Sequence, residues 1–234
     1  MSVRALVFDF DGVIIDTEAS AFALTQAMYQ EHGVELGDDV WHAAVGSRGY
    51  DLYEGLQRTV GRPLDLDRLR DVFAAQHAAD TSLLDTMAGV RERIAEAQAL
   101  GLGLAVASSS NREWVVGHLS RLGLIDVFDA VRTREDVEQT KPHPGLFLAA
   151  LAALEVGPWE AIALEDSPNG VTAAKAAGIY TVAVPNSTTV SLPLGHADLL
   201  LASLANVTLS ELVQRHSSAL GLWSSGPDPA GAPG

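Results

Sequence analysis

Residues 5–8 read Ala-Leu-Val-Phe, apolar without alternation, and stop at Asp9. A strand with no polar face must be covered on both sides, the condition of a parallel sheet flanked by helices. With Arg4 leading in, this run spans 4–8, and residues 102–107, 161–164 and 180–184 share its character. Helical patterns at 90–100, 112–122 and 168–177 separate them. The last places Ser167 at the N-cap, Pro168 at the first helical position and Gly178 just past the end. Alternating strands and helices predict an α/β fold with a Rossmann-like, doubly wound parallel sheet.

Between residue 16 and about residue 87 that rhythm stops. Helical patterns at 21–32 and 66–79 stand there without a convincing strand, so the segment reads as an inserted helical cap domain. The expected division is a core of residues 1–15 and 88–220, a cap of 16–87, and a tail over 221–234. The last eleven residues of that tail are dominated by Gly, Pro, Ala and Ser and are expected to be disordered.

Thirty acidic residues against 15 basic ones give a formal charge of −15. Such a surface repels nucleic-acid backbones and anionic membranes, so neither is expected as a partner. It also repels a phosphorylated metabolite, which then needs positive charge concentrated at its site. With no cysteine, the chain has neither a disulfide framework nor thiolate metal ligands, and it fits a reducing compartment. The N-terminus reads as neither a signal peptide nor a span. A cytoplasmic protein, monomeric or weakly dimeric, is expected.

In a sheet of this kind ligands bind beyond the carboxyl ends of the strands. The first strand is followed by Asp9-Phe10-Asp11-Gly12, the second by Ser108-Ser109-Ser110-Asn111, the third by Glu165-Asp166-Ser167; Lys141-Pro142 lies between the last two. Asp9 and Asp11 stand about 6.6 Å apart along an extended chain, and Gly12 lets it turn so that both flank one ligand. A carboxylate nucleophile beside a carboxylic acid suits covalent catalysis followed by hydrolysis. Acids this dense call for a cation, and an all-oxygen set suits Mg²⁺. Lys141 adds a compact positive charge for a transferring phosphoryl group. The Ser108 hydroxyl and backbone N–H groups after Asp9 and Ser108 suit its oxygens.

These four motifs, in this order, resemble the haloacid dehalogenase superfamily, in the branch of β-phosphoglucomutase and sugar-phosphate phosphatases. The resemblance runs from about residue 4 to 215. It implies that Asp9 forms an aspartyl-phosphate, and that Asp11 protonates the leaving group and then activates water. It implies Ser108 and Lys141 as the phosphoryl clamp, and Mg²⁺ held by Asp9, the Asp11 backbone carbonyl, Asp166 and, through water, Glu165. Gly12, Ser109 and Arg48 complete the expected substrate contacts. Asp11 sets the chain apart from halide-removing relatives. Where mutases of this branch carry a histidine, this chain has Ala21, which favours a hydrolase; a mutase, or a binding protein without turnover, are the alternatives.

Other readings fail on spacing. As an EF-hand loop, Asp9–Ser20 puts Gly12 fourth instead of sixth. Gly101-Leu-Gly103 precedes a strand and lacks a third glycine, and no Gly-x-Ser-x-Gly or His-Glu-x-x-His occurs.

Overall fold

The computed structural model describes residues 2–46 and 51–223; Arg48 and residues 224–234 of the expected tail lie outside them, while residues 221–223, expected in that tail, continue the last helix (Leu209–Trp223). Six parallel strands form one sheet in the order β3-β2-β1-β4-β5-β6. They are β1 (Ala5–Phe8), β2 (Gly103–Ala107), β3 (Ala130–Arg132), β4 (Ala161–Glu165), β5 (Tyr180–Ala183) and β6 (Leu199–Leu200). The chain winds outward from β1 to β2 and β3, then returns to the other side of β1 for β4. That reversal is the switch point at which an open α/β sheet leaves a crevice.

The two sheet faces carry side chains of different size. Leu6, Phe8, Leu104, Val106, Ile162 and Leu164 point to one side. There they meet Val90 and Ile94 of α5 (Val90–Ala99), Val115 and Leu119 of α6 (Arg112–Arg121), and Leu209 and Leu212 of α9 (Leu209–Trp223). Ala5, Ala105, Ala107, Ala161 and Ala163 point to the other, with Val7. Such short side chains let α7 (Gly145–Leu154) and α8 (Pro168–Ala176) pack close, through Leu146, Phe147, Ala173 and Ala174. Both faces being covered explains why the strands are apolar throughout.

Four helices, α1 (Thr17–Glu31), α2 (Asp38–Gly46), α3 (Leu52–Val60) and α4 (Leu66–Thr81), stand between β1 and α5 in sequence. They gather on an apolar cluster of their own, Met28, Tyr29, Leu36, Trp41 and Leu56. The two ends of this insertion are tied together where Met87 N–H donates to the Ile14 carbonyl at 2.8 Å.

His216 of α9 is fully buried against Tyr180, ring centroids 5.4 Å apart at 80°. Burial pushes its imidazole below the ordinary 6.5. Stability from a group depressed in this way is fully present above the unfolded value and is lost as pH falls below it. Replacing His216 with Phe is therefore expected to remove part of the acid destabilisation, read by denaturant unfolding at several pH values. A wild-type-minus-variant difference that stays constant from about pH 7.5 to 5 excludes His216 as a cause.

Candidate active site

Strands β1, β2 and β4 end where their apolar runs meet polar residues, so the sheet's geometry delivers those residues to one rim. Asp9 follows β1, and its N–H continues the ladder to the Leu164 carbonyl at 2.9 Å. Glu165 closes β4 and is wholly buried; Asp166 next to it is 2% exposed. Ligand oxygens of Asp9, Glu165 and Asp166 lie within 4.8 Å of one another. Gly12 takes a φ of +81°, and a Cβ there would fall on the Asp166 carboxylate. Gly170 in α8 does the same service for Glu165, whose carboxylate occupies the place of a Cβ.

Lys141 reaches into this cluster, its Nζ 2.6 Å from Asp9 Oδ1 and 2.5 Å from Glu165 Oε1. Both are buried ion pairs. Burial opposes the Lys141 ammonium, but Asp9 and Glu165 outweigh it and hold its pKa above the ordinary lysine range. One lysine does not neutralise three acids. Burial and then the Glu165 charge push the Asp9 carboxyl up to about 8 against the pull of Lys141. Asp166 is also raised, by burial first and then by Asp9, Glu165 and Glu18. A dry, all-oxygen cluster short of positive charge is the donor set that suits a hard divalent cation.

Asp11 stands apart from the cluster, with all its donors neutral. Its Oδ1 accepts from Thr17 Oγ1 and Trp114 Nε1, each at 2.9 Å, and its Oδ2 accepts from Ser110 Oγ at 2.6 Å and Ser108 Oγ at 3.4 Å. Ser108 is fully buried, its Oγ also accepting the Ser110 N–H at 3.0 Å. The Gly12 N–H is taken by the Ile15 carbonyl at 2.8 Å. Asn111 caps α6, accepting the Trp114 N–H at 2.8 Å.

A cavity of about 620 Å³ opens above these groups. Asp9, Asp11, Ser109, Ser110, Lys141 and Asp166 line it from the sheet side, while the helical insertion contributes Thr17, Glu18, Ala21, Trp41, Phe73 and His77. Burial, then the Asp11 and Asp16 charges, raise Glu18 to about 7. The sequence-based expectation thus has Asp9, Asp11, Lys141, Glu165 and Asp166 at one place, with Ser108 beneath and Ser109 in the wall.

Thr17, Glu18, Ser110, Trp114 and Asn186 do not stand out from the sequence as site residues. Asn186 Nδ2 donates to Asp166 Oδ2 at 2.9 Å. It lies beyond the end of β5, so the rule that strand ends carry the site reaches it as well. Thr17 and Glu18 open the first helix after the Asp-x-Asp-Gly turn, and Trp114 lies in the first turn of the helix that Asn111 caps. Those positions are the remaining signal.

The family described as haloacid dehalogenase-like hydrolase matches residues 6–184. The protein YhcW of Bacillus subtilis (strain 168) is 38% identical over 92% of this chain and 99% of its own length. Hexitol phosphatase B of Escherichia coli (strain K12) is 31% identical over 90% of this chain and 97% of its own. Among solved structures, CbbY from Rhodobacter sphaeroides in complex with phosphate superposes with a TM-score of 0.71 at 27% identity, covering 90% of this chain and 99% of that one.

Proposed function

The chain belongs to the haloacid dehalogenase-like hydrolases, and from that premise we propose that it hydrolyses a phosphorylated sugar or polyol through a phosphate ester on Asp9, with Mg²⁺ as cofactor. It is a phosphoric monoester hydrolase. The observation that carries the finer reading is the juxtaposition of two unlike acids: Asp9 in a buried, cation-seeking cluster, and Asp11 beside it under four neutral donors.

Asp9, Glu165 and Asp166 are the residues that would hold Mg²⁺, with Asn186 fixing Asp166. When bound, the ion offsets charge on the acids and on the phosphoryl oxygens. Lys141 pulls Asp9 toward its ionised form against burial and the Glu165 charge, and faces the incoming anion. An Asp9 carboxylate oxygen forms a bond to phosphorus as the bond to the sugar oxygen breaks, and Asp11 gives its proton to that oxygen. Water then attacks the same phosphorus, its proton passes to Asp11, and the bond to Asp9 breaks, releasing phosphate. The wall of the helical insertion excludes bulk water from both steps and sets which alcohol fits.

Ala21 lines the cavity at the place where a mutase of this branch is expected to carry histidine. An alanine offers no second proton-transfer group there, so water is the favoured acceptor.

The test is phosphate release from hexose phosphates, hexitol phosphates, phosphoglycolate and nucleotides, with Mg²⁺ or with EDTA. Release confined to sugar or polyol phosphates and lost in EDTA is expected. Release that persists in EDTA removes the metal from the reading, and silence across the panel removes hydrolysis of these esters.

A further inference from the structure

One of the four hydrogen bonds on Asp11 comes from Trp114, which lies outside the expected motifs. Trp114 Nε1 donates to Asp11 Oδ1 at 2.9 Å. An indole nitrogen is a donor only, so this contact favours an oxygen acceptor and fixes which oxygen of the carboxylate faces the ring. The backbone of Trp114 is fixed in turn, since its N–H is capped by Asn111 Oδ1 at 2.8 Å in the first turn of α6.

The ring itself is held from two sides. His77, on α4 of the helical insertion, stacks on the indole at 5.1 Å and 16°. His118 meets it at 4.4 Å and 73°. With one face covered by His77, the indole does not offer that face as a platform for a sugar ring. His77 also bonds the Thr17 carbonyl through Nε2 at 3.1 Å. A carbonyl only accepts, so that nitrogen carries the proton. Thr17 is the second donor to Asp11 Oδ1. Both groups that hold Oδ1 are therefore braced by the same histidine of the insertion. Behind it the ring contacts continue to Phe73, 5.6 Å from His77 and tilted by 32°, and to Tyr53, edge-on to Phe73 at 6.1 Å.

We propose that Trp114 is a positioning residue for Asp11, braced by His77, and that its indole N–H keeps Asp11 oriented for proton transfer to the leaving-group oxygen. The proposal rests on the reading of Asp11 as that proton donor. A carboxyl group turned even slightly from the leaving oxygen loses the transfer, because general acid catalysis acts only within hydrogen-bond reach. Ser110 and Ser108 hold the other oxygen and Thr17 still donates to Oδ1, so loss of the indole removes one of the two donors on Oδ1 while leaving the side chain tethered.

The distinguishing measurement is dependence on the leaving group. An alkyl phosphate such as a hexitol phosphate must have its departing oxygen protonated, whereas p-nitrophenyl phosphate releases a stable anion that needs no proton. For Trp114→Phe, which keeps an aromatic ring against His77, kcat/KM on the alkyl ester is expected to fall about tenfold or more. On the aryl ester it is expected to fall less than about threefold. Equal losses on both esters, or no loss on either, overturn the positioning role. Thermal unfolding of the variant reports whether it folds. If it does not, 3-benzothienylalanine at position 114, which replaces the N–H with sulfur and keeps both rings, takes its place in the comparison, and the same results support or overturn the role. A wild-type protein inactive on both esters overturns the hydrolase reading itself, which separates that failure from this one.

Discussion

Replacing Asp9 with asparagine is expected to lower phosphate release by about three orders of magnitude or more, because an amide cannot take the nucleophile's part. The fold is expected to survive. Asparagine keeps the volume, and Lys141, which sits between Asp9 and Glu165, retains Glu165 as its counter-charge. The variant also relieves repulsion in a cluster where burial and Glu165 already hold Asp9 up to about 8. Activity and stability are therefore expected to move in opposite directions. Phosphate release measured beside thermal unfolding in EDTA checks this. A variant with more than about a tenth of wild-type turnover removes Asp9 as nucleophile.

The second large effect is at Asp166. In the metal-free protein this carboxyl is raised well above 3.8 by burial and by its acidic neighbours. A carboxyl raised in the folded state favours folding most below its unfolded pKa, and that contribution is lost as pH climbs from 3.8 upward. Asp166→Asn removes the titrating group. In EDTA the variant is then expected to be more stable than wild type by about 1–2 kcal/mol near pH 8 and by less near pH 5, a Tm gain of a few degrees. With Mg²⁺ the order reverses, since wild type gains about 2.7 kcal/mol at a hundredfold excess over Kd while the variant has lost a ligand. Turnover is expected to be lost with it. Equal stabilisation of both proteins by Mg²⁺ would place the ion elsewhere.

Much of this arrangement is legible in the chain because strand ends carry it. The runs at 4–8, 102–107, 161–164 and 180–184 correspond to β1, β2, β4 and β5, with ends displaced by one residue. They are readable because both faces are buried, so each run is apolar throughout. Strands β3 and β6 are three and two residues long and only partly covered. Edges so short have no pattern to read. The acids at 9, 11, 165 and 166 stand out because charge after a buried strand is costly unless it has a task. Trp114 does not stand out, since a tryptophan in a helix reads as core until the partner of its N–H is known. Glu18 and His77 belong to helices whose facing depends on how the insertion packs over the sheet, which local spacing does not specify.

The position of β1 has a consequence for how the chain is made. Ala5 pairs with Gly103 on one side and Ala161 on the other, 98 and 156 positions further along. At synthesis rates of about 5–20 residues per second, the first strand leaves the ribosome about 10–30 s before its second neighbour exists. Until β2 emerges, Ala-Leu-Val-Phe is an unpaired apolar strand with two open edges, and one edge stays open until β4 follows, the kind of segment that recruits other chains. The helical insertion emerges next, and its contacts are local, so its apolar cluster does not wait for the sheet. The part that walls the cavity is thus also the first part able to fold, and it does so while β1, which leads into Asp9, is still waiting for a partner.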